Sequence, residues 1–308
     1  MSRVRKVLVG IWPLKAVYHM VRTKWMSFLS VASPELLSRL RFLVARGRLP
    51  DLRTPVTFDE KLLWLNLHWR HPLKVECGDK YTMRGYVERL GLGHLLPRLY
   101  GVFESADAID FGALPEQFVL KCTHGAKANV FCRKKSDLHM SEARRNLAEW
   151  MATDHSRLLG ELHYAAMKPR IICEELLEDG TGEFPTDYKV YCFSGRPDWV
   201  LCCFDRRPNG NASFALVDEN WTSAGFLREE LTAQRDVPRP AALDEMLSAC
   251  ETLAAPFPFV RVDFYSIRGR AVLGEMTFTP DACIDNDITD FAQLEIGRRI
   301  DLPTPYTA

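Results

Sequence analysis

Residues 259–279 read FVRVDFYSIRGRAVLGEMTFT, two runs of strand-forming residues around a turn that contains Arg268 and Gly269. In the first run Val260, Val262 and Phe264 alternate with Arg261, Asp263 and Tyr265. Alternation of period two predicts a strand with one apolar and one charged face. In the second run Ala271, Leu273, Glu275 and Thr277 fall on one face, and Val272, Gly274, Met276 and Phe278 on the other. A three-residue loop, 268–270, puts Asp263 directly opposite Glu275 and Arg261 opposite Thr277. Cβ atoms so opposed lie about 4.5–5.5 Å apart, where like charges destabilise. Two carboxylates placed there need a cation, and carboxylate oxygens suit Mg²⁺. A solvent-facing hairpin whose carboxylates never meet is the other reading, because a one-residue slip moves a strand's side chains to the opposite face.

The 308 residues around this hairpin are enough for one large domain or two to three lobes. They are 47% hydrophobic and 26% charged, which suits a globular chain with a sizeable core. Forty basic residues balance forty acidic ones, so net charge gives no reason to expect nucleic-acid binding. Nine cysteines lie scattered without C-x-x-C spacing, which excludes a zinc or disulfide framework on pattern. Cys122, Cys173, Cys192, Cys202 and Cys203 fall in strand-like runs and read as small buried hydrophobes of a reducing compartment. Residues 1–30 are basic and rich in Trp, Val, Leu and Met, but Lys15, His19, Arg22 and Lys24 interrupt every apolar run. No spanning helix or signal-peptide pattern results. The segment either packs on the protein body or makes peripheral contact with an anionic membrane surface.

From residue 33 the chain reads as alternating helices and strands. Ser33 and Pro34 start a helix that Gly47 and Pro50 stop, with Leu36, Leu37, Leu40, Leu43 and Val44 as its inward stripe. Thr57 and Glu60 have the spacing of a capping box at the head of a second helix. A third runs from an Asp79 cap to Gly91, with Lys80 and Arg84 on one face near its N-terminus. The helix dipole disfavours cations there, and an anionic ligand offsets the repulsion. Residues 114–132 read as strand, small-residue loop and strand, with Lys121 before the loop and His124, Gly125, Lys127 and Asn129 in it. Such a loop lets backbone N–H groups approach an oxyanion, although it is not a Walker A loop. A helix over 141–159 and a strand ending in Glu174 and Glu175 follow. Asp179-Gly180-Thr181-Gly182 is a candidate hinge. A second hairpin turns at Ser194-Gly195-Arg196-Pro197, and a helix over 241–255 leads back to residue 259.

The stretches FDEKLLWL, GDKYTMRGYV, LPEQFVLKCTHG, KPRIICEELL, DYKVYCFSG, FVRVDFYS and GEMTFTP, in this order, resemble the ATP-grasp superfamily and most of all its teichuronopeptide-biosynthesis (TupA-like) branch. The resemblance runs from Phe58 to Leu302. It implies an α+β fold in which two lobes with antiparallel sheets clasp ATP, preceded by a helical N-terminal region. The expected division is a basic, helical segment 1–56, a first lobe 57–180 and a second lobe 181–308. The resemblance further implies that Lys80 and Lys121 meet the nucleotide phosphates and that His124 to Asn129 close over them. It assigns Glu174, Glu175, Leu176 and Leu177 to adenine and ribose, and Lys189 to the nucleotide from the second lobe. Asp263 and Glu275 match the paired Mg²⁺ ligands, and Arg261 the arginine beside the transferred phosphoryl group. Arg261, Lys121 and Lys189 are thus the expected catalytic cations. Thr277 stands where many superfamily members have a metal-binding Asn, and the loop reads His124-Gly125-Ala126-Lys127 where the branch has a second glycine.

The implied activity is ATP- and Mg-dependent ligation of a carboxylate to an amine, in the cytoplasm or at the inner face of the membrane, during assembly of a bacterial surface polysaccharide. Its substrates would be small-molecule or saccharide carboxylates and amines. Two alternatives stand beside it. A glycosyltransferase would use a D-x-D motif, and Asp285-Asn286-Asp287 has that form. A non-catalytic nucleotide-binding protein would not need Lys80, Lys121, Arg261, Asp263 and Glu275 together.

Overall fold

The computed structural model describes residues 33–179, 184–206, 212–233 and 235–305. The basic segment 1–30 and the hinge glycines at 180 and 182 lie outside them.

In chain order the helices are α1 (Pro34–Arg46), α2 (Phe58–His68), α3 (Pro72–Gly78) and α4 (Thr82–Arg89). Strands β1 (Leu99–Phe103), β2 (Phe118–Cys122) and β3 (Asn129–Cys132) come next. Helices α5 (Met140–Met151) and α6 (His155–Leu159) precede β4 (Ile171–Glu174). Then come β5 (Asp187–Phe193), β6 (Arg196–Phe204), β7 (Ser213–Asp218), α7 (Leu243–Leu253), β8 (Val260–Ile267), β9 (Arg270–Thr277) and α8 (Asp290–Arg298). The strands form two antiparallel sheets, a four-stranded one in the order β1-β4-β2-β3 and a five-stranded one in the order β7-β6-β5-β8-β9. The fold is α+β, as expected. Among the described residues no helix is long and apolar enough to cross a membrane.

Each sheet has its own core. Phe118, Leu120, Ile171 and Cys173 pack with Ile109, Ala143 and Leu147 behind the four-stranded sheet. Val190, Cys192, Val262, Phe264 and Leu273 pack behind the five-stranded one. Phe42, Leu52 and Phe58, on both sides of residue 56, join this second core together with Met83 and Val87 of α4. Helices early in the chain therefore buttress the sheet that comes last. All nine cysteines are buried and unpaired, in keeping with their reading as small hydrophobes.

The caps explain the early helices. The Ser33 hydroxyl accepts from Leu36 N, and Thr57 with Glu60 forms the reciprocal capping box. The stripe expected on α1 is corrected. Leu36, Leu40, Leu43 and Val44 are exposed, and only Leu37, Ser38 and Phe42 are buried. The helix carries two apolar arcs, and polar anchoring selects between them. Arg46 donates to the buried Asp59 at 2.9 and 2.5 Å, and Arg41 donates to the carbonyls of Leu159 and Ala282. A buried carboxylate left unpaired is costly, so the Arg46–Asp59 pair helps fix which arc turns inward.

Two helix boundaries also differ from expectation. The helix expected over 141–159 breaks in two, because the Asp154 side chain accepts from Arg157 N and caps a fresh helix at His155. The helix expected from Asp79 begins at Thr82. Asp79 Oδ1 accepts from Tyr81 N at 2.8 Å and Thr82 N at 2.9 Å, so Lys80 lies ahead of the helix instead of sharing its face with Arg84.

Candidate functional site

The opening hairpin reaches the expected pairing by an unexpected route. Its turn has two residues, Arg268 (φ 53°) and Gly269 (φ 76°), with Ile267 paired to Arg270. Two successive left-handed residues match the twist of antiparallel strands. That turn alone would set Asp263 opposite Gly274. A bulge between Asp263 and Phe264 corrects this: Phe264 pairs with Leu273, Gly274 is the extra residue, and Asp263 pairs with Glu275. Arg261 pairs with Thr277. The three-residue loop is thus overturned, while the juxtaposition it was invoked for stands.

The bulge also divides β9. Ala271 and Leu273 are buried in the core, and beyond Gly274 the buried residues are Met276 and Phe278. Glu275 and Thr277 therefore do not share a face with Ala271 and Leu273; they turn to the side that carries Arg261 and Asp263. A Cβ on residue 274 would lie 3.0 Å from the Tyr265 ring and 3.2 Å from Asp263 O, so glycine gives the bulge its room.

Protein cations surround the two carboxylates. Arg261 donates through Nε and Nη2 to both oxygens of Asp263, each at 2.8 Å. Lys189 Nζ, from the neighbouring β5, lies 2.7 Å from Asp263 Oδ2 and 2.7 Å from Asp187 Oδ2. Lys80 Nζ lies 3.1 Å from Glu275 Oε2 and donates to Gly125 O at 2.8 Å. Arg261 Nη2 lies 4.0 Å from Glu275 Oε1 and 3.4 Å from Thr277 Oγ1. Burial alone would raise the Glu275 carboxyl, but Lys80, then Lys189 and Arg261, outweigh it and bring its pKa down to about 2. Burial works against the charge of Lys189 and Arg261. Asp263 outweighs it in both and holds them above their ordinary values.

A second cluster adjoins the first. The buried Glu174 at the end of β4 accepts from Arg84 Nη1 at 2.8 Å and from Lys121 Nζ at 2.9 Å. Its neighbour Glu175 accepts from Arg98 N, and Leu176 and Leu177 follow, half-buried. Lys121 and Asn129 pair across β2 and β3 and frame the loop between them. Lys80 N donates to Thr123 O, and Thr123 Oγ1 donates to Asp79 Oδ2, which ties the loop to the head of α4. Gly125 has φ 142°, and a side chain there would overlap the His155 ring, so the loop rests on that imidazole through a glycine. His124 is buried, and burial lowers its pKa. Lys127 stands exposed at the loop tip with φ 63°.

Residues 60–301 match the model of the TupA-like ATP-grasp family. The chain belongs to this family. No curated protein matches the sequence. Among solved structures it is similar to the ATP-grasp ligase PsnB in complex with a minimal precursor, at 14% identity and a TM-score of 0.42, covering 75% of this chain and 62% of that one. It is also similar to the D-cycloserine synthetase DcsG, at 17% identity and TM-score 0.42, covering 74% and 70%. A D-alanine–D-alanine ligase from Helicobacter pylori, at 16% identity and TM-score 0.42, covers 80% and 69%. The chain thus spans about six tenths of the PsnB chain's length.

The donor set fits a divalent cation held together with phosphates. Mg²⁺ is commonly held by one or two carboxylates plus substrate phosphates. Asp263 and Glu275 supply two hard carboxylates, with the Thr277 hydroxyl 3.5 Å from Glu275 Oε1. Three protein cations already gather where a divalent cation would neutralise the pair.

Sequence reasoning passed over several residues here. Asp187 precedes Lys189 by two on β5, so both share a face, and that spacing was a readable signal. Arg206 Nη2 lies 2.6 Å from the same Asp187 oxygen, and nothing in the sequence points to it. Glu161 accepts from Thr279 Oγ1 at 2.6 Å, and burial pushes its pKa up to about 7. Beyond Thr279 three successive non-glycine residues, Asp281, Ala282 and Cys283, are left-handed (φ 48°, 51° and 67°), a strained turn beside the site. Asp285 of the D-x-D motif is buried and accepts from Asp287 N, and its carbonyl accepts from Arg46 and Gln293. The motif is part of the packing around α1 and α8.

Proposed function

We propose that this chain is an ATP- and Mg-dependent carboxylate–amine ligase. The observation that carries the reading is the pairing of Asp263 with Glu275 under Arg261, Lys189 and Lys80, three cations from three separate segments. Attack of a carboxylate on a phosphoryl group brings anions together, so charge neutralisation is the main requirement of the reaction. Asp263 and Glu275, with Thr277, would hold Mg²⁺, which when bound offsets charge on the phosphates. Lys80, Lys121 and Arg261 add fixed positive charge from the protein. Lys189 faces the same site from β5, and Arg84 sits beside Lys121 on Glu174.

In this reading a substrate carboxylate oxygen bonds to the γ-phosphorus as the bond to ADP breaks. The amine, entering as the free base, then attacks the acyl carbon, phosphate leaves and the amine proton goes to solvent. Closure of the loop 124–129, with Gly125 as its tight point, keeps water from the acyl phosphate. The four-stranded sheet and the five-stranded sheet act as the two lobes, with Glu174 to Leu177 between them for adenine and ribose. We assign the reaction to bacterial surface-polysaccharide assembly in the cytoplasm, joining an amino acid, peptide or amino-sugar amine to a carboxylate. This assignment rests on the resemblance of the motifs.

Thermal stabilisation by Mg-ATP, and ADP release in the presence of candidate uronic acids and amines, test the proposal. Stabilisation by UDP-sugars in place of Mg-ATP would overturn it in favour of glycosyl transfer.

A further inference from the structure

Asp187 is buried at the start of β5, on the face that carries Lys189. One of its oxygens, Oδ2, serves two cations, Lys189 Nζ at 2.7 Å and Arg206 Nη2 at 2.6 Å. The other, Oδ1, is buried with no hydrogen-bond partner among the described residues. A buried carboxylate oxygen left idle is costly and asks for an explanation. Lys189 in turn lies at equal distance, 2.7 Å, from Asp187 and from Asp263. Its ammonium therefore bridges a carboxylate of the metal pair and one outside it.

We propose that Asp187 is a positioning residue that receives the Lys189 ammonium when Asp263 turns to Mg²⁺. The inference rests on the metal–nucleotide reading above. Asp263 Oδ2 already accepts from Arg261 Nη2 and Lys189 Nζ, so a divalent cation on that oxygen must displace a donor, and Lys189 is the one with a second carboxylate at hand. Lys189 must give way, and a buried ammonium needs a carboxylate wherever it goes. Asp187 lies within reach, and its idle Oδ1 offers the extra acceptor. Lys189 thereby keeps its charge at the site and frees a donor for a phosphate oxygen. Arg206 competes with Lys189 for the same Asp187 oxygen. With Asp187 neutralised, Asp263 is the nearest carboxylate left to Lys189, and Lys189 then competes with the metal.

Mn²⁺ affinity of the full-length protein at saturating ADP, read by free-Mn²⁺ electron paramagnetic resonance, tests this without turnover. Asp187→Asn should weaken Mn²⁺ binding about tenfold, the scale for partners that orient metal ligands. In a Lys189→Met background the same substitution should change it less than about twofold, because no ammonium remains to compete. An unchanged affinity in Asp187→Asn, or an equal loss in both backgrounds, overturns the proposal. Should Asp187→Asn not fold, Arg206→Gln tests it from the other side. Removing the rival cation strengthens the hold of Asp187 on Lys189, so Mn²⁺ affinity should rise, and a fall overturns the proposal. A wild-type protein that binds neither ADP nor Mn²⁺ overturns the nucleotide reading itself.

Discussion

The Lys80 ammonium lies 3.1 Å from the Glu275 carboxylate and joins the segment ahead of α4 to the far end of β9. The same ammonium donates to Gly125 O, so one side chain connects the loop of the four-stranded sheet with β9 of the five-stranded one. The Lys80 ammonium and the Glu275 carboxylate satisfy each other.

Lys80→Met should therefore remove a pH-dependent part of the stability. Glu275 has a folded pKa of about 2, below the ordinary 4.5, so its contribution is present above pH ~4.5 and is lost as the pH falls towards 2. The variant should melt below the wild type at pH 7, and the gap should close near pH 2. Glu275 is a third exposed, so solvent screening keeps the effect small. A gap that stays constant from pH 7 to pH 2 would show that Lys80 acts through packing instead.

Asp263→Asn and Glu275→Gln should each cut Mg-dependent ADP release by at least about a hundredfold while the circular-dichroism spectrum is preserved. Asp263→Asn should also lower stability, because it leaves the buried Arg261 and Lys189 underpaired. Full activity in Glu275→Gln would refute the metal assignment.

Gly274→Val tests the bulge. The new side chain meets the Tyr265 ring and the Asp263 carbonyl, for an expected loss of about 1–3 kcal/mol in urea denaturation. Activity should fall further than stability requires, because the backbone that moves is that of Asp263 itself. A variant equal to wild type in both respects would mean that the bulge has room to spare.

Glu161 sets an opposite pH trend. Burial raises its carboxyl from 4.5 to about 7, so the folded state binds the proton more tightly than the unfolded one. Its stabilising contribution is full below pH ~4.5 and is lost as the pH rises through 7. Glu161→Gln keeps an acceptor for Thr279 and carries no charge. It should match the wild type near pH 4 and exceed it at pH 8 by on the order of 3 kcal/mol at most. Chemical denaturation at the two pH values measures the difference, and equal stability at pH 8 would contradict the assignment.

Alternation placed Arg261 and Asp263 on one face, and Glu275 came opposite Asp263 only through an assumed three-residue loop. The details of that hairpin were not legible. A two-residue turn and a bulge are each one residue away from the simple pattern, and their effects on Asp263 and Glu275 cancel. The stripe on α1 was misplaced for another reason. Leu36, Leu40 and Leu43 outnumber Leu37 and Phe42, but the burial of Asp59, thirteen residues on, brings Arg46 inward and turns those three out. Lys80 and Arg84 were read as neighbours on a helix. A side-chain cap from Asp79 moved the helix start, and the two cations went to different carboxylates, Glu275 and Glu174. Asp187 was legible from its spacing to Lys189 and was passed over, whereas the role of Glu161 depends on the Thr279 hydroxyl that folds against it.

The bulge at Gly274 means that the hairpin keeps a reading frame. The pairing of Asp263 with Glu275 depends on the turn length and the bulge taken together. A three-residue turn with no bulge would present the same carboxylates to the same cations. A deletion in β9 ahead of Glu275 that left the two-residue turn and the bulge in place would instead put Met276 opposite Asp263 and Phe278 opposite Arg261. Paired changes, one residue gained in the turn and one lost at 274, are the route by which this hairpin can be re-engineered with its chemistry left in place.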